Sequence, residues 1–405
     1  MQPVQFNLDS FINNCVTGRF KSMFYDDIRK NYDQVTSKVA GKNVLVIGGA
    51  GSIGSSFIKS LIQFKPSSLV VVDTNENALA ELTRDLRSTP EVNMPEDYIT
   101  YPMDYSSSVF EKMFRNRKGF DIVGNFSAHK HVRSEKDVYS VEALLQNNVL
   151  HAKRLLDLLC EYVPEEYFCV STDKAANPVN IMGASKRIME DVIFSYSDVY
   201  PVKTARFANV AFSNGSLPAG FLARLTKLQP LSAPFDVRRY FVSPEESGHI
   251  CLLSCILGGN REIFFPKLEE AQMKTFDNIA RELIKANGYE VLECDSEIDA
   301  IEKSVELKKG SLQYPVYFSK TDTSGEKPFE EFVTAGEETD YDRFGSLGVI
   351  INKGIPDKDR IDKLYKDLQA AFKKTTNKEE IVSIIKEYLV DFEHIETGKS
   401  LDNKM

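Results

Sequence analysis

From Asn43 onward the chain alternates two apolar patterns. Short runs of near-continuous apolar character, NVLVIGG, SLVVVD, YITYPMD, FDIVGNFSA and YFCVST, are separated by stretches with helical periodicity. A run that is apolar on both faces suits a strand covered on both sides, and a strand followed by an amphipathic helix must cross over to a parallel neighbour. The pattern predicts an α/β fold, a doubly wound parallel sheet of the Rossmann type over residues 41–215. VKTARFANV and EIFFP are expected to extend the sheet, and segments within 216–335 to form a smaller substrate-binding region.

The two ends read differently. Residues 1–40 are polar with a helical stripe of Phe6, Leu8, Phe11 and Ile12, which predicts a helical extension packed on the main domain or on a neighbouring subunit. Residues 336–405 contain DKDRIDKLYKDLQAAFKK and NKEEIVSIIKEYL, two amphipathic helices, the second opened by Asn377 with Glu380 as a capping pair. They carry no evident chemistry and are expected to serve as an oligomerisation or lid element.

Composition narrows the partners. With 405 residues, 42% of them hydrophobic, the chain can bury a sizeable core. No apolar run approaches the roughly 18 to 20 residues of a membrane span, HICLLSCILGG being the nearest, and the first residues lack the features of a secretory leader. A soluble, cytoplasmic protein is expected. A net charge of −9 argues against a nucleic-acid groove, so a phosphorylated ligand must be held by local groups. Cysteines 15, 160, 169, 251, 255 and 294 show neither metal-ligand spacing nor a disulfide framework, and they read as buried thiols with no metal site.

VLVIGGAGSIGSSFIKSL places Gly48, Gly51 and Gly54 at the turn between a strong strand and a good helix, where Ser52 and Ile53 are expected to contact the cofactor with them. Glycine is needed there for a tight turn, for close backbone approach to a pyrophosphate and for helix–sheet packing, with the helix N-terminus facing the negative charge. Asp73, nineteen positions past Gly54, ends the next strand and would accept hydrogen bonds from an adenosine ribose while repelling a 2′-phosphate. NAD is therefore expected, with Arg84 and Arg87 close enough in sequence to leave NADP open. Asp104, at the end of the third strand, is either an adenine contact or a turn carboxylate.

STDKAANPVNIMGASKR, residues 171–187, resembles a signature of the extended short-chain dehydrogenase/reductases and, more narrowly, of the polysaccharide-biosynthesis nucleotide-sugar dehydratases. The resemblance recurs in SAHKHV at 127–132, NNV at 147–149, ARFANV at 205–210, RRYF at 238–241 and SGEKPFEE at 324–331. It implies a homo-oligomeric enzyme of bacterial surface-polysaccharide synthesis, typically a UDP-N-acetylglucosamine 4,6-dehydratase giving a UDP-4-keto-6-deoxy-N-acetylhexosamine. It further implies that Ser127, Ala128 and Lys186 contact the cofactor, Lys186 at the nicotinamide ribose. Lys130 and His131 are implied near the substrate, Asn148 as a support for the active-site loops, and Asn209, Arg206 and Arg239 for the nucleotide-sugar diphosphate. KTDTSGEKPFEE lacks the arginine that usually precedes GEK. Met182 stands where a proton-handling tyrosine is expected, as in a branch whose members are mostly membrane-anchored and retain configuration at C5; this chain departs from them in having no transmembrane pattern.

The chemistry of such a dehydration can be matched to the residues. Oxidation of the sugar C4 hydroxyl makes the C5 hydrogen acidic; a base removes it, an acid protonates the C6 hydroxyl, water leaves, and the hydride returns to C6. Adjacent Asp173 and Lys174 could supply acid and base. A thioether at Met182 cannot take the C4 hydroxyl proton, which leaves a relay through Thr172 or water to Lys186 or Asp173. A nucleotide-sugar 4-epimerase would share the fold and C4 oxidation but has no use for an acid–base pair at C5 and C6 and leans on the missing tyrosine. A non-catalytic dinucleotide sensor would have no reason to keep Asp173, Lys174 and Lys186 together.

Overall fold

The computed structural model describes residues 6–90, 92–321, 327, 329–374 and 377–396. Six strands take the positions that the apolar runs predict: β1 (Asn43–Ile47), β2 (Ser68–Asp73), β3 (Asp97–Pro102), β4 (Ile122–Asn125), β5 (Glu166–Thr172) and β6 (Val202–Phe207). Val44, Leu45 and Val46 are all buried, as are Leu69, Val70 and Val71, because helices cover both faces. Among the described residues the main sheet has nine strands, ordered Thr339–Asp340, Leu347–Ile350, Glu262–Pro266, β6, β5, β4, β1, β2, β3. From β3 across to Glu262–Pro266 every pairing is parallel. Strand order reverses between β1 and β4, which leaves a crevice at their carboxyl ends.

The expectation of a purely helical region after 336 is corrected at its start. Thr339–Asp340 and Leu347–Ile350 join the sheet antiparallel, the latter pairing with Glu262–Pro266. Without them the fully buried strand Glu262–Pro266 would present an open edge. The helices Lys358–Phe372 and Lys378–Tyr388 follow, and Ile361, Leu364, Leu368, Ile381 and Ile385 enter the same core as the sheet. No helix among the described residues is long and apolar enough to cross a membrane.

A smaller parallel sheet, Glu290–Cys294, Gln313–Ser319 and Leu231–Pro234, carries the second core together with helices Leu217–Lys227 and Phe276–Ala286. The N-terminal extension joins the two cores. Phe11, Ile12 and Val16 pack with Phe221, Ile279 and Leu283, while Phe24, Val35 and Val39 belong to the main core. Arg19 forks onto Glu246 with two bonds of 2.6 Å, and buried Asp27 accepts from the amides of Gly345 (2.6 Å) and Ser346 (2.9 Å), just before the added edge strand.

Asp27→Ala would strand those two amides. We expect it to cost about 2–3 kcal/mol, seen as a lower midpoint in chemical denaturation; an unchanged midpoint would show that the contact does not hold the extension to the sheet.

Candidate active site

A cavity of about 1020 Å³ opens at the reversal point, with room for a dinucleotide and a second ligand. One end is made by the turn after β1. Gly48 adopts a left-handed φ of 71°, and a side chain there would strike the Ser127 amide at 2.6 Å. A side chain at Gly54 would meet the Gly48 carbonyl, so the helix Ser52–Ile62 can approach the strand only with glycine at that position. Gly48, Gly51, Ser52, Ile53 and Gly54 line the cavity, as do Asp73 and Asp104. Asp73 accepts from the amides of Ala50 (3.1 Å) and Asn75 (2.9 Å), which fixes its carboxylate beside the glycine turn. Asp104 accepts from Ser106 N at 2.7 Å, so it is a turn carboxylate and a cavity wall at once. Arg84 and Arg87 are not among the lining residues, and Arg84 pairs with Glu81 at 3.3 Å. A glycine cradle, a helix N-terminus and a fixed strand-end carboxylate fit a nicotinamide dinucleotide.

The other wall begins where β5 ends. Thr172 leads into a short turn, Asp173–Ala175, and Asn180 opens the helix Ile181–Phe194 by accepting from Gly183 N at 2.7 Å. A side chain on Gly183 would lie 2.6 Å from the Lys174 carbonyl, so turn and helix are in backbone contact. The Thr172 hydroxyl donates to Asp173 Oδ1 at 2.8 Å, and the same oxygen receives Lys174 N at 2.9 Å and Lys174 Nζ at 3.1 Å. Thr172, Lys174, Met182 and Lys186 line the cavity; Asp173 sits directly behind them, 2% exposed. Lys186 Nζ donates to the Val170 carbonyl at 3.0 Å, and burial brings its ammonium down to about 8, against the opposing pull of Cys169 and Glu190. Met182 presents only its thioether to the site, its backbone amide being held by Glu135 Oε1 at 2.9 Å.

Loops from both sides complete the cavity. Ser127, Ala128, Lys130, His131, Asn209 and Arg239 all line it. Buried Asn148 bonds both the amide and the carbonyl of His129 at 2.9 Å and reaches Ser185 Oγ at 3.0 Å, so it clamps the loop after β4 to the helix that bears Lys186. Surrounding protein lowers the proton affinity of Lys130 and of His131, the latter also through Lys130, Arg133 and His129.

Arg206 is the exception. Side chains alternate faces along β6: Phe207 lines the cavity, whereas Arg206 lies outside its lining, fully buried between Glu190 (2.9 and 3.0 Å) and Glu337 (2.7 and 2.9 Å). The expectation that it binds a diphosphate is corrected to a buried cross-link between β6 and the segment before the added edge strands. Of the SGEKPFEE stretch, residues 324–326 and 328 lie outside the described residues, as do 322 and 323. Within the remainder sits Glu330, a buried carboxylate 3.9 Å from both Lys174 and Arg239, which motif reading had not singled out. Glu135 was missed in the same way; each meets its partners only through the tertiary fold.

The glycine turn at the strand-order reversal, with Lys186 on the facing helix, defines an extended short-chain dehydrogenase/reductase. The chain belongs to the polysaccharide biosynthesis protein family, whose model matches residues 44–347. It is 28% identical to an uncharacterized membrane protein of Methanocaldococcus jannaschii, over 88% of this chain and 98% of that one. It is 26% identical to the probable polysaccharide biosynthesis protein EpsC of Bacillus subtilis over 76% of this chain, which spans about half (50%) of that relative. Identity to a UDP-N-acetylglucosamine 4,6-dehydratase (inverting) of Campylobacter jejuni is 26%, over 62% of this chain and 74% of that one. The structure of Pen from Bacillus thuringiensis shares the fold with a TM-score of 0.62 at 19% identity, covering 82% of this chain and 98% of that one. Family and fold together put the chain in the nucleotide-sugar dehydratase and epimerase group of polysaccharide biosynthesis.

Arg206→Met would remove the cation shared by two buried carboxylates, leaving Glu190 to Arg187 and Glu337 to Lys353, each at 3.1 Å. We expect a stability loss of about 3–5 kcal/mol by denaturant titration, with nucleotide-sugar affinity of the folded protein unchanged. Weakened affinity at full stability would return Arg206 to the cavity.

Proposed function

We propose that the protein is an NAD-dependent UDP-N-acetylglucosamine 4,6-dehydratase. The observation that carries this reading is the hydrogen-bonded run Thr172–Asp173–Lys174, which brings a hydroxyl and an amine to one wall of the dinucleotide cavity with a carboxyl bonded to both directly behind them. An epimerase needs no such set. The Campylobacter relative, named for this activity, supports the choice of substrate. Asp73 beside the glycine turn, with Arg84 and Arg87 away from the cavity, supports NAD over NADP.

The nicotinamide, when bound, supplies a hydride acceptor and donor at the sugar. The turn from Gly48 to Gly54 would hold its pyrophosphate, Asp73 the adenosine ribose and Lys186 the nicotinamide ribose. Thr172 accepts the hydrogen bond of the C4 hydroxyl and passes its proton to Asp173, 2.8 Å away, so Met182 has no proton to carry. Lys174, as the free amine, removes the C5 proton made acidic by the C4 ketone. Asp173, now carrying a proton, returns it through the Thr172 hydroxyl to the C6 hydroxyl, which leaves as water. Once hydride reaches C6, Lys174 returns a proton to C5. Each residue ends as it began, and the sugar has lost one water.

Purified protein given UDP-N-acetylglucosamine should yield a product lighter by one water; an unchanged mass with altered C4 configuration would make it an epimerase. Lys174→Ala should still develop reduced-nicotinamide absorbance but lose water release about a hundredfold or more. Asp173→Asn should lose both, and Met182→Ala should keep substantial activity. Normal dehydration by Lys174→Ala would remove the base assigned here.

A further inference from the structure

The segment that bears Glu330 is threaded against the active-site wall from behind. Arg239 Nη1 donates to the Lys327 carbonyl at 2.9 Å, Lys327 Nζ donates to the Asn177 carbonyl, Asn177 Nδ2 donates to Glu331 at 3.0 Å, and Arg206 Nη1 donates to the Phe332 carbonyl at 2.8 Å. Those bonds press the Glu330 side chain inward until it is 4% exposed, with one oxygen 3.9 Å from Lys174 Nζ and from Arg239 Nη2. A carboxylate is not buried without reason. The desolvation is offset only because two cavity-lining cations stand against it, with Lys327 at 4.0 Å as a third.

We infer that Glu330 is a positioning residue of this site: a buried counter-ion that joins Lys174 to Arg239 behind the cavity wall and holds the Lys174 amine in place. The inference builds on the role proposed for Lys174, although its geometry stands without it. Asp173 and Glu330 are two carboxylates facing the same amine, at 3.1 and 3.9 Å, and a carboxylate beside an ammonium favours its charged form, while Arg239 and Lys327 share the Glu330 carboxylate with it at 3.9 and 4.0 Å. Glu330 itself is pushed up to about 6 by burial, countered by Lys174, Arg239 and Lys327 and reinforced by Asp173. Near pH 6 its charge therefore falls away, and Lys174 is left with Asp173 alone of the pair. Charge on Glu330 tunes when the amine becomes free, while its bulk and its hold on Arg239 keep two walls of the cavity in register.

The test needs no substrate. The pH dependence with which trace acetic anhydride labels Lys174 in the full chain, followed by peptide mass spectrometry, reports the midpoint at which that amine loses its proton. Glu330→Gln should lower the midpoint by about one pH unit or more, Glu330→Asp should leave it near wild type, and Arg239→Gln should raise it. The two variants of opposite sign keep the test decisive if one of them folds poorly. Coincident midpoints for wild type and whichever of Glu330→Gln or Arg239→Gln folds would overturn the inference. If the midpoints separate as expected while UDP-N-acetylglucosamine is not turned over, the dehydratase reading falls and the positioning role stands.

Discussion

The structure turns on keeping Asp173, Lys174, Glu330 and Arg239 together in a nearly dry wall at the end of β5. Each charge taken from water costs several kcal/mol unless a partner meets it. Their partners come from three separate stretches: the turn after β5, the strand Arg238–Arg239 and the segment around Glu330. The wall exists only when all three are in register. The surrounding architecture serves that end: Gly183 lets the helix Ile181–Phe194 touch the Lys174 backbone, Asn148 ties that helix to the loop after β4, and Arg206 locks the Glu330 segment against β6.

The C-terminal region reaches the same place from the far side. Glu135 holds the Met182 amide and receives His394 Nε2 at 3.4 Å; Lys378 donates to the Glu135 carbonyl at 2.9 Å, and Ile395 N to the Val179 carbonyl at 2.9 Å. The last described residues are thus hydrogen-bonded to the start of the helix that carries Met182 and Lys186. The N-terminal extension does the equivalent for the two cores, through Arg19 donating to the Phe241 carbonyl (2.9 Å) on one side and Asp27 accepting from Gly345 on the other.

What could be read from the sequence was local. The β–α alternation and the glycine turn depend on neighbours within a few residues, so periodicity and spacing carry them, and Gly48, Asp73 and Lys186 fall on one cavity as their motifs suggest. Arg206 shows where this stops: ARFANV gives no sign of which strand residues face the cavity, and one step of alternation sends the guanidinium to Glu190 and Glu337 instead. Glu330 and Glu135 lie 156 and 47 positions from their partners Lys174 and Met182, and no spacing rule spans such gaps. The strands at 339–350 hid in a different way, since LGVI is too short a run to distinguish strand from helix without the open edge beside it.

The account rests on hydride leaving C4 and returning to C6 of one sugar while Thr172, Asp173 and Lys174 move the protons. UDP-N-acetylglucosamine carrying deuterium at C4 tests this most directly. The account predicts that the label is recovered at C6 of a product that has lost one water; label retained at C4, or released to solvent, would contradict it.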